Sequence, residues 1–347
     1  MRELIIIAVD WYGPGESLGP GRQRHSDAPA LPGLDTLARF GRMQPLPEGW
    51  RPFLARRLGR GDLARAAPAA VADVPPLVAS APAREHYPSV WLATALALIP
   101  GASHVILGHE GVLRLDPSVQ ERLATDFAGT FAGAGWQLAP LASGEFLLYG
   151  PRLAGEVRST EPARCLGASL APHLPHAPGD PALRRLTAEI EMWLHGHEIN
   201  MIRTREQLPP VSTLWLWGGG ARLGTAEAVD AGEAGEAGGE MGSALSDDAF
   251  VQGLWARLGA ASAPLPAGLD AAPGGGESAA RIRVITAPAG RVLADFDARW
   301  VQPALARLAS GALDELHLIA NDRMLSLRPR DRLRFWRRAR SVLEVME

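Results

Sequence analysis

The chain has 347 residues, 47% of them hydrophobic and 21% charged, and a formal net charge of −3. These values are ordinary for a globular protein with one large or two smaller domains. Because the net charge is close to zero, composition argues against nucleic acid or an anionic membrane as the partner. The one cysteine, Cys165, excludes an intrachain disulfide framework and a cysteine-cluster zinc site, and we expect it to be a small buried side chain.

The apolar run Leu4–Val9 is rich in β-branched residues and predicts a central strand buried on both faces. The run is too short for the apolar region of a signal peptide, and no other run is long enough to span a membrane. We therefore expect a cytoplasmic protein, and the abundance of Ala and Arg points to a GC-rich bacterial genome.

Asp10 follows this strand directly. Ligands in open α/β sheets bind at the carboxyl ends of the strands, so Asp10 is a candidate metal-binding or ligand-binding carboxylate. The alternative is an Asx-type turn, in which the side chain bonds the neighbouring backbone.

Several elements are predicted between this strand and residue 151. A loop covers 13–33, a short helix covers Pro32–Gly41, and an irregular segment rich in Ala and Pro covers 60–84. The block that follows predicts an α+β unit with the elements strand Ser89–Leu98, strand His104–Leu107, hairpin Gly108–Gly111, strand Val112–Leu115, helix Pro117–Ala132, and strands Trp136–Pro140 and Phe146–Gly150.

A long helix is predicted over Asp180–Arg205, followed by a break at Pro209-Pro210 and a short apolar strand, Thr213–Trp217. The strand ends in Gly218-Gly219-Gly220, which marks either the edge of a ligand site or a tight turn with close backbone packing. The three glycines are not GxGxxG, and no P-loop lysine follows them, so a nucleotide fingerprint is not supported.

The remainder of the chain alternates loops with core elements. Residues 224–248 are small and acidic and predict a mobile loop, and the tail over 328–340 is strongly basic. The core elements predicted between them are helix Asp248–Leu258, strand Arg281–Thr286, helix Trp300–Leu308 and strand Leu313–Ala320.

Two stretches carry a family resemblance. The helix at Pro32–Gly41 resembles a segment of the alkaline phosphatase superfamily, which includes sulfatases and the cofactor-independent phosphoglycerate mutases. A segment of the archaeal-type mutases resembles the series formed by Glu198-Ile199-Asn200, Arg203, Pro209–Ser212 and Leu214–Gly220. The second series is most similar to a PVNSLWLWGGG run of the RpfE-type bacterial regulatory proteins, with Ser212 in the place of Asn.

The resemblance implies an α/β fold of the alkaline phosphatase superfamily: a core sheet flanked by helices, with an inserted α+β cap domain. The implied boundaries are 1–84 and 152–347 for the core and 85–151 for the cap.

The same resemblance indicates that the phosphoryl-transfer residues are missing. Where the mutases have a nucleophilic Ser after Gly49, this chain has Trp50, which has no nucleophilic oxygen. Where a late strand of the superfamily ends in a metal-binding Asp-His pair, this chain has Asp322-Arg323, and a guanidinium cannot bind a metal. We therefore expect no catalytic residue, no metal site and no cofactor.

The leading hypothesis is a catalytically degenerate mutase-like protein with a regulatory or binding role and an unknown small-molecule or protein partner. Its predicted ligand-binding residues are Asp10, Asn200, Arg203, Gly218, Gly219 and Gly220. One alternative is an active metal-dependent mutase or phosphohydrolase in which Asp10, Asp322 and a histidine converge. The other is an interaction module that acts through exposed Trp215 and Trp217 and the basic tail.

Overall fold

The computed structural model describes residues 2–11, 31–75, 77–78, 81–101, 104–153, 157–175, 181–224, 242–272, 281–290, 292–333, 336–338, 341–342 and 345. Contacts divide the chain into unit 1, formed by Met1–Arg65 and Ala228–Glu347, and unit 2, formed by Ala66–Glu227. The predicted cap, 85–151, lies inside unit 2, which is wider at both ends. Most of the predicted loops at 13–33 and 224–248 lie outside the described residues, as do parts of the basic tail.

The described strands are β1 Glu3–Ala8, β2 Arg42–Pro45, β3 Ser89–Pro100, β4 Val105–Val112, β5 Gln137–Pro140, β6 Phe146–Gly150, β7 Thr213–Ala221, β8 Gly242–Leu245, β9 Ser262–Ala263, β10 Ile282–Ala287, β11 Glu315–Ala320 and β12 Arg323–Leu327. The α-helices are α1 Pro32–Phe40, α2 Trp50–Arg57, α3 Pro68–Ala72, α4 Pro117–Phe131, α5 Ala182–His195, α6 Glu198–Arg205, α7 Ala249–Arg257, α8 Leu293–Phe296 and α9 Gln302–Ala309. A π-helical turn, Asp297–Val301, joins α8 to α9.

Unit 1 is built on a seven-stranded sheet in the order β2-β12-β11-β1-β10-β8-β9. The strands from β11 to β9 are parallel, and β12 and β2 add an antiparallel edge. All six residues of β1 are buried, as the apolar run predicts for a central strand. The mixed α/β class predicted from the sequence is confirmed.

Helix α1 packs on one face of this sheet through Leu34, Leu37 and Ala38. Its first N–H groups find their acceptor far away in the sequence, because the buried carboxylate of Asp297 accepts from Gly33 (3.0 Å) and Leu34 (2.7 Å). A carboxylate at a helix N-terminus satisfies free donors and complements the helix dipole, so Asp297 fixes how α1 begins.

Unit 2 contains a five-stranded antiparallel sheet organised around β3, which pairs with β4, β6 and β7. Helices α4 and α5 supply the apolar residues that cover it. In α4 these include Leu123, Phe127 and Phe131, which recur every fourth residue and therefore lie on one face of the helix. Cys165 is also buried in this unit, as expected.

Three predicted boundaries are wrong. The predicted hairpin at Gly108–Gly111 is the middle of the single strand β4, whose pairing with β3 shifts register between Leu96 and Leu98. The long helix breaks at Gly196, and α6 begins anew where His197 accepts a hydrogen bond from the Ile199 N–H. The loop predicted over 224–248 ends early, because residues 242–245 form β8 beside β10.

A cluster of charged side chains lies at the amino ends of β1 and β11. The Glu3 carboxylate is buried, and it contacts His317 Nε2 (3.2 Å) and the Arg57 guanidinium. The His317 Nδ1 atom lies 2.7 Å from the Ser326 hydroxyl. Burial alone would raise the pKa of Glu3, but the hydrogen bonds and charges of His317 and Arg57 outweigh it and lower that pKa.

We expect Glu3→Gln to lower the free energy of unfolding by about 2 kcal/mol at pH 7, because charge-assisted hydrogen bonds to a buried carboxylate are lost. The folded-state pKa lies below the unfolded one, so this contribution is present above about pH 4.5 and is lost as the pH falls through the folded value. The difference in free energy of unfolding between wild type and Glu3→Gln, measured by urea unfolding, should therefore be smaller at pH 3.5 than at pH 7.

Glu48→Gln is the matched control, since Glu48 also pairs with an arginine, Arg56, but on the surface. Exposed pairs contribute little, so its effect should stay below about 0.5 kcal/mol at both pH values. Equal losses in the two variants at pH 7 would contradict this account of Glu3.

Candidate functional site

In unit 1, Asp10 lies just beyond the carboxyl end of β1, as predicted, but its carboxylate serves the backbone. The two oxygens accept hydrogen bonds from the N–H groups of Ala289 and Gly290, which follow β10. The next residue, Trp11, is buried, and its carbonyl accepts from the Asn321 N–H (2.9 Å) beyond β11. Residues 10 and 11 thus tie the ends of three neighbouring parallel strands together.

Asn321 and Asp322 form the turn of a β-hairpin. Ala320 pairs with Arg323 across the turn, and both turn residues have positive φ, 45° and 54°. This two-residue loop has the backbone signs of a type I′ turn, which favours Asn and Asp. The residues in which the sequence suggested a degenerate metal site therefore reverse the chain between β11 and β12.

Trp50 occupies the position at which the resemblance would place a nucleophile. It is the first residue of α2 and is 3% exposed. Its ring meets Phe250 edge-to-face at 5.9 Å, and the guanidinium of Arg51 lies over it at 4.2 Å. Arg51 is in turn held by Asp248, at 3.0 Å. This position is part of the core of unit 1.

The described residues do not provide a metal centre of the kind the mutases require. Within that part of the chain, no group of three or more His, Cys, Asp or Glu side chains is arranged to hold a metal ion. The Asp10 carboxylate is already engaged by two amides, and Arg323 follows Asp322. These residues do not fit a two-metal site, which needs several convergent carboxylate or imidazole ligands.

In unit 2, Asn200 and Arg203 hold the segment between α6 and β7. The Asn200 amide donates to the carbonyls of Leu194 (2.8 Å) and Val211 (2.9 Å) and accepts from the Val211 N–H (2.8 Å). The Arg203 Nε–H donates to the carbonyl of Pro209 at 2.7 Å. Both residues therefore fix the geometry of the turn that leads into β7.

Gly218, Gly219 and Gly220 continue β7 and do not terminate it. A Cβ atom on Gly219 would lie 1.8 Å from Trp91 Cδ1, so the absence of a side chain lets β7 lie against that indole. Gly218 has φ +58° and lies at the register shift between β7 and β3. The close-packing interpretation of these glycines accounts for their geometry, and they lie at the opposite end of β7 from Val211.

Trp215 and Trp217 are buried, with 2% and 6% of their surface exposed. Their indole N–H groups donate to the Thr160 carbonyl (2.8 Å) and the Thr94 hydroxyl (2.9 Å). An interaction module that acts through these two rings requires them at the surface. The prediction that Trp215 and Trp217 are exposed is therefore wrong.

An open groove of about 650 Å³ lies beside α5 and α6 in unit 2. Its lining residues are Glu191, His195, Asn200, Met201, Thr204, Arg205, Pro210, Val211 and Ser212. Asn200 is the one among them that the sequence predicted. Partial burial raises the pKa of the Glu191 carboxyl, which therefore keeps its proton to a higher pH than an ordinary glutamate. Glu191 and His195 stand one helical turn apart, a spacing that could have indicated a shared face.

The five predicted ligand-binding residues of unit 2 are thus not brought together as one site. Asp10 belongs to unit 1, and the other five belong to unit 2. Within unit 2, Asn200 lies at the groove near the start of β7, whereas the three glycines lie at its far end.

Comparison with known proteins gives distant structural neighbours. No protein-family model matches the chain, and no curated protein sequence matches it significantly. A cofactor-independent phosphoglycerate mutase from Thermoplasma acidophilum is similar at 15% identity and a TM-score of 0.34, covering 94% of this chain and 89% of the mutase. The PH0037 protein of Pyrococcus horikoshii is similar at 15% identity and a TM-score of 0.41, covering 94% and 87%.

Both matches are distant, and the chemistry of the site rests on this chain's own residues. No helix among the described residues is long and apolar enough to cross a membrane.

Proposed function

We propose that this chain is a phosphoglycerate-mutase-like protein that has lost phosphoryl transfer and acts by binding a small-molecule or protein partner. The observation that carries the proposal is the burial of Trp50. A covalent phosphoryl intermediate needs a nucleophilic oxygen in an accessible site. At this position the chain has an indole that packs against Phe250 and Arg51 in the core of unit 1.

Two further features support the loss of the phosphoryl-transfer centre. Both oxygens of Asp10 are bound by the amides of residues 289 and 290, so this carboxylate stabilises the sheet edge. Asp322 is a turn residue with positive φ, and the next residue, Arg323, is the first of β12. In each case a residue at a position where the active enzymes would bind a metal has a structural role in this chain.

The finer assignment within this proposal is an RpfE-type regulatory role in the cytoplasm of a bacterium, without a cofactor and with neither a membrane nor nucleic acid as its target. Its support is the run from Pro210 to Gly220, with Ser212 as the departure from the family pattern. Ser212 has a structural use here, since its hydroxyl accepts from the Leu98 N–H at 3.0 Å.

A small-molecule ligand of this proposed protein would bind in the groove beside Asn200. Apolar contacts from Met201 and Val211 line it together with the polar side chains of Glu191 and His195. Pockets that combine apolar walls with a few convergent polar groups are the usual form of a small-molecule site. In this arrangement Asn200 shapes the wall, and Arg203 supports it from behind through Pro209.

The competing function is an active metal-dependent mutase or phosphohydrolase that uses non-standard residues. The observation in its favour is that Asp10 and Asp322 follow the neighbouring strands β1 and β11. Carboxylates at adjacent strand ends are the usual starting point for a metal site in α/β folds.

A metal titration separates the two functions. The protein is stripped with a chelator, titrated calorimetrically with Mn²⁺ and Zn²⁺, and assayed for interconversion of 3- and 2-phosphoglycerate with each ion. We expect neither saturable binding nor turnover. Binding of about two ions per chain with turnover, both lost in Asp10→Asn, would overturn the proposal and establish the enzyme. Glu48→Gln, an exposed carboxylate, serves as the control for non-specific metal binding.

A further inference from the structure

Strand β2 forms one edge of the sheet of unit 1. Within the described residues it pairs only with β12, and all four of its residues, Arg42–Pro45, are exposed. A sheet edge presents unpaired backbone N–H and C=O groups, which can accept a further strand. Among the residues that the structure describes, nothing pairs with this edge of β2, which could therefore accept a polypeptide.

The pairing register identifies the backbone groups that face this edge. The Leu46 N–H donates to the Asp322 carbonyl, which makes residues 46 and 322 a hydrogen-bonded pair. Bonded and non-bonded pairs alternate along an antiparallel ladder, so Gln44 and Arg42 bond to β12, and Met43 does not. The N–H and C=O of Met43 consequently point away from the sheet, and the next outward position, Pro45, has a carbonyl but no N–H.

The basic tail lies against the start of β2. The Arg337 guanidinium donates to the Gly41 carbonyl (2.7 Å), the Arg39 Nε–H donates to the Arg337 carbonyl (3.1 Å), and Arg42 contacts the buried Asp331 (3.4 Å). These contacts fix several guanidinium groups beside the edge strand.

Large apolar side chains are exposed among these arginines. Leu333 is 72% exposed, Trp336 is 69% exposed and Met43 on β2 itself is 50% exposed, whereas Arg330 and Arg338 are exposed cations of the same tail. All 35 residues counted as Lys or Arg are arginines, because the sequence has no lysine. Arginine binds carboxylates through two parallel hydrogen bonds, and Arg and Trp are the residues most enriched at the energetic centres of protein interfaces.

We propose that Arg42–Pro45 together with Arg330, Leu333, Trp336 and Arg338, here termed the edge surface, docks an extended acidic segment of a partner protein. The segment adds to the sheet as a strand beside β2 and bonds the Met43 backbone. Its carboxylates meet the arginines, and apolar side chains at alternate positions meet Trp336 and Leu333. The inference is independent of the proposed function, since it uses neither the strand-end carboxylates nor the groove of unit 2.

A polypeptide suits this surface better than the other polyanions do. Nucleic acid or an anionic lipid would use the guanidinium groups through phosphate, but neither supplies a row of backbone donors and acceptors at strand spacing. The outward N–H and C=O of Met43 are matched by another strand.

The test measures binding of a fluorescein-labelled peptide of three Glu-Val-Glu-Thr repeats to the full chain by fluorescence anisotropy. The control peptide has Gln in place of every Glu. We expect the acidic peptide to bind in a saturable way that weakens with salt, and at least about tenfold more tightly than the Gln peptide.

Two variants examine the two halves of the surface. Met43→Pro removes the outward N–H and leaves the β12 hydrogen bonds in place, so it should weaken binding about tenfold, whereas Met43→Ala should change it by less than about threefold. Trp336→Ala removes a ring that is 69% exposed and should weaken binding about tenfold. Far-ultraviolet circular dichroism verifies that each variant is folded.

Several results would contradict the docking of an acidic segment at the edge surface. Equal binding of the Glu and Gln peptides, or no effect of Trp336→Ala, would overturn it. Equal affinities of folded Met43→Pro and Met43→Ala would exclude strand addition. The chain could instead bind oligo(dT) or phosphatidylserine vesicles more tightly than the acidic peptide, with no effect of Met43→Pro. That result would overturn the proposal and assign the arginines to a phosphate polymer or a lipid surface.

Discussion

Replacing Arg222 by methionine should lower the stability of unit 2 by about 3–5 kcal/mol. The guanidinium bonds Asp73 (Nε to Oδ2, 2.6 Å) and also donates to the carbonyls of Pro82 (2.8 Å) and Tyr87 (3.4 Å). The side chains of Arg222 and Asp73 are 8% and 5% exposed. Removal of the cation would leave a buried carboxylate without its main partner, which costs far more than the loss of a surface ion pair.

Tyr149 extends this network. Its hydroxyl donates to Asp73 at 2.8 Å, and the guanidinium lies over its ring at 4.6 Å. Burial, together with the nearby charge of Asp73, raises the pKa of the Tyr149 phenol, which therefore remains a donor at alkaline pH. The network connects residue 73, just after α3, to β6 and to the end of β7.

Hydrogen exchange of the β3 and β7 amides is the appropriate measurement, because it reports the opening of unit 2 separately from unit 1. Arg185→Met is the control, since Arg185 is 81% exposed and pairs with Glu189 on the surface, and it should leave the exchange of these amides unchanged. The double variant with Asp73→Asn should be less destabilised than the sum of the single variants. Additive effects would mean that Arg222 stabilises the unit through its other contacts.

Gly219→Ala should destabilise unit 2 by about 3 kcal/mol or more. The added methyl group would lie 1.8 Å from Trp91 Cδ1 and 2.2 Å from its Nε1, and Trp91 is 1% exposed. A buried indole in a packed core cannot retreat without displacing its neighbours, among them Trp136 at 5.6 Å. The cost is therefore one of overpacking.

Gly129→Ala is the matched control. Gly129 lies within α4, and a Cβ atom there has no neighbouring atom within 4 Å, so alanine should stabilise the helix by about 0.5–1 kcal/mol. In a Trp91→Leu background the penalty of Gly219→Ala should shrink, because the smaller side chain makes room. If Gly219→Ala left stability unchanged, close packing would not explain this glycine, and its assignment to a ligand site would regain support.

Elements whose residues act locally could be predicted from the sequence. Two patterns specify a buried face without reference to the rest of the chain. One is the apolar run of β1, and the other is the spacing of four residues between Leu123, Phe127 and Phe131 in α4. The structure confirms both. The mixed α/β class follows from the alternation of such elements.

The candidate site residues could not be predicted in the same way, because their roles depend on contacts with residues far away in the sequence. Gly219 is required by Trp91, about 130 residues earlier, and Asp10 is bound by Ala289 and Gly290, about 280 residues later. A strand that ends in three glycines and a carboxylate after a strand are both patterns of ligand sites and patterns of tight packing. Only the identity of the neighbour distinguishes them.

The turn at Asn321-Asp322 is a case in which a local signal was present. Two polar residues of types that tolerate positive φ separate the apolar strands β11 and β12, which is the pattern of a two-residue hairpin. The resemblance to a metal-binding Asp-His pair favours a different interpretation of the same residues, so β12 is absent from the strands predicted from the sequence. Strand β2 was missed as well, because four exposed residues carry no periodicity.

The place of β1 in its sheet has a consequence for how the protein is made. β1 lies between β10 and β11, so its first partner strand is translated about 280 residues after it. At about 5–20 residues per second, the ribosome needs roughly 15–60 s to supply that partner, and unit 2 is complete in the meantime. Throughout this interval the apolar, β-branched segment of β1 has no partner strand. Nascent chains in this condition recruit chaperones or pair with one another.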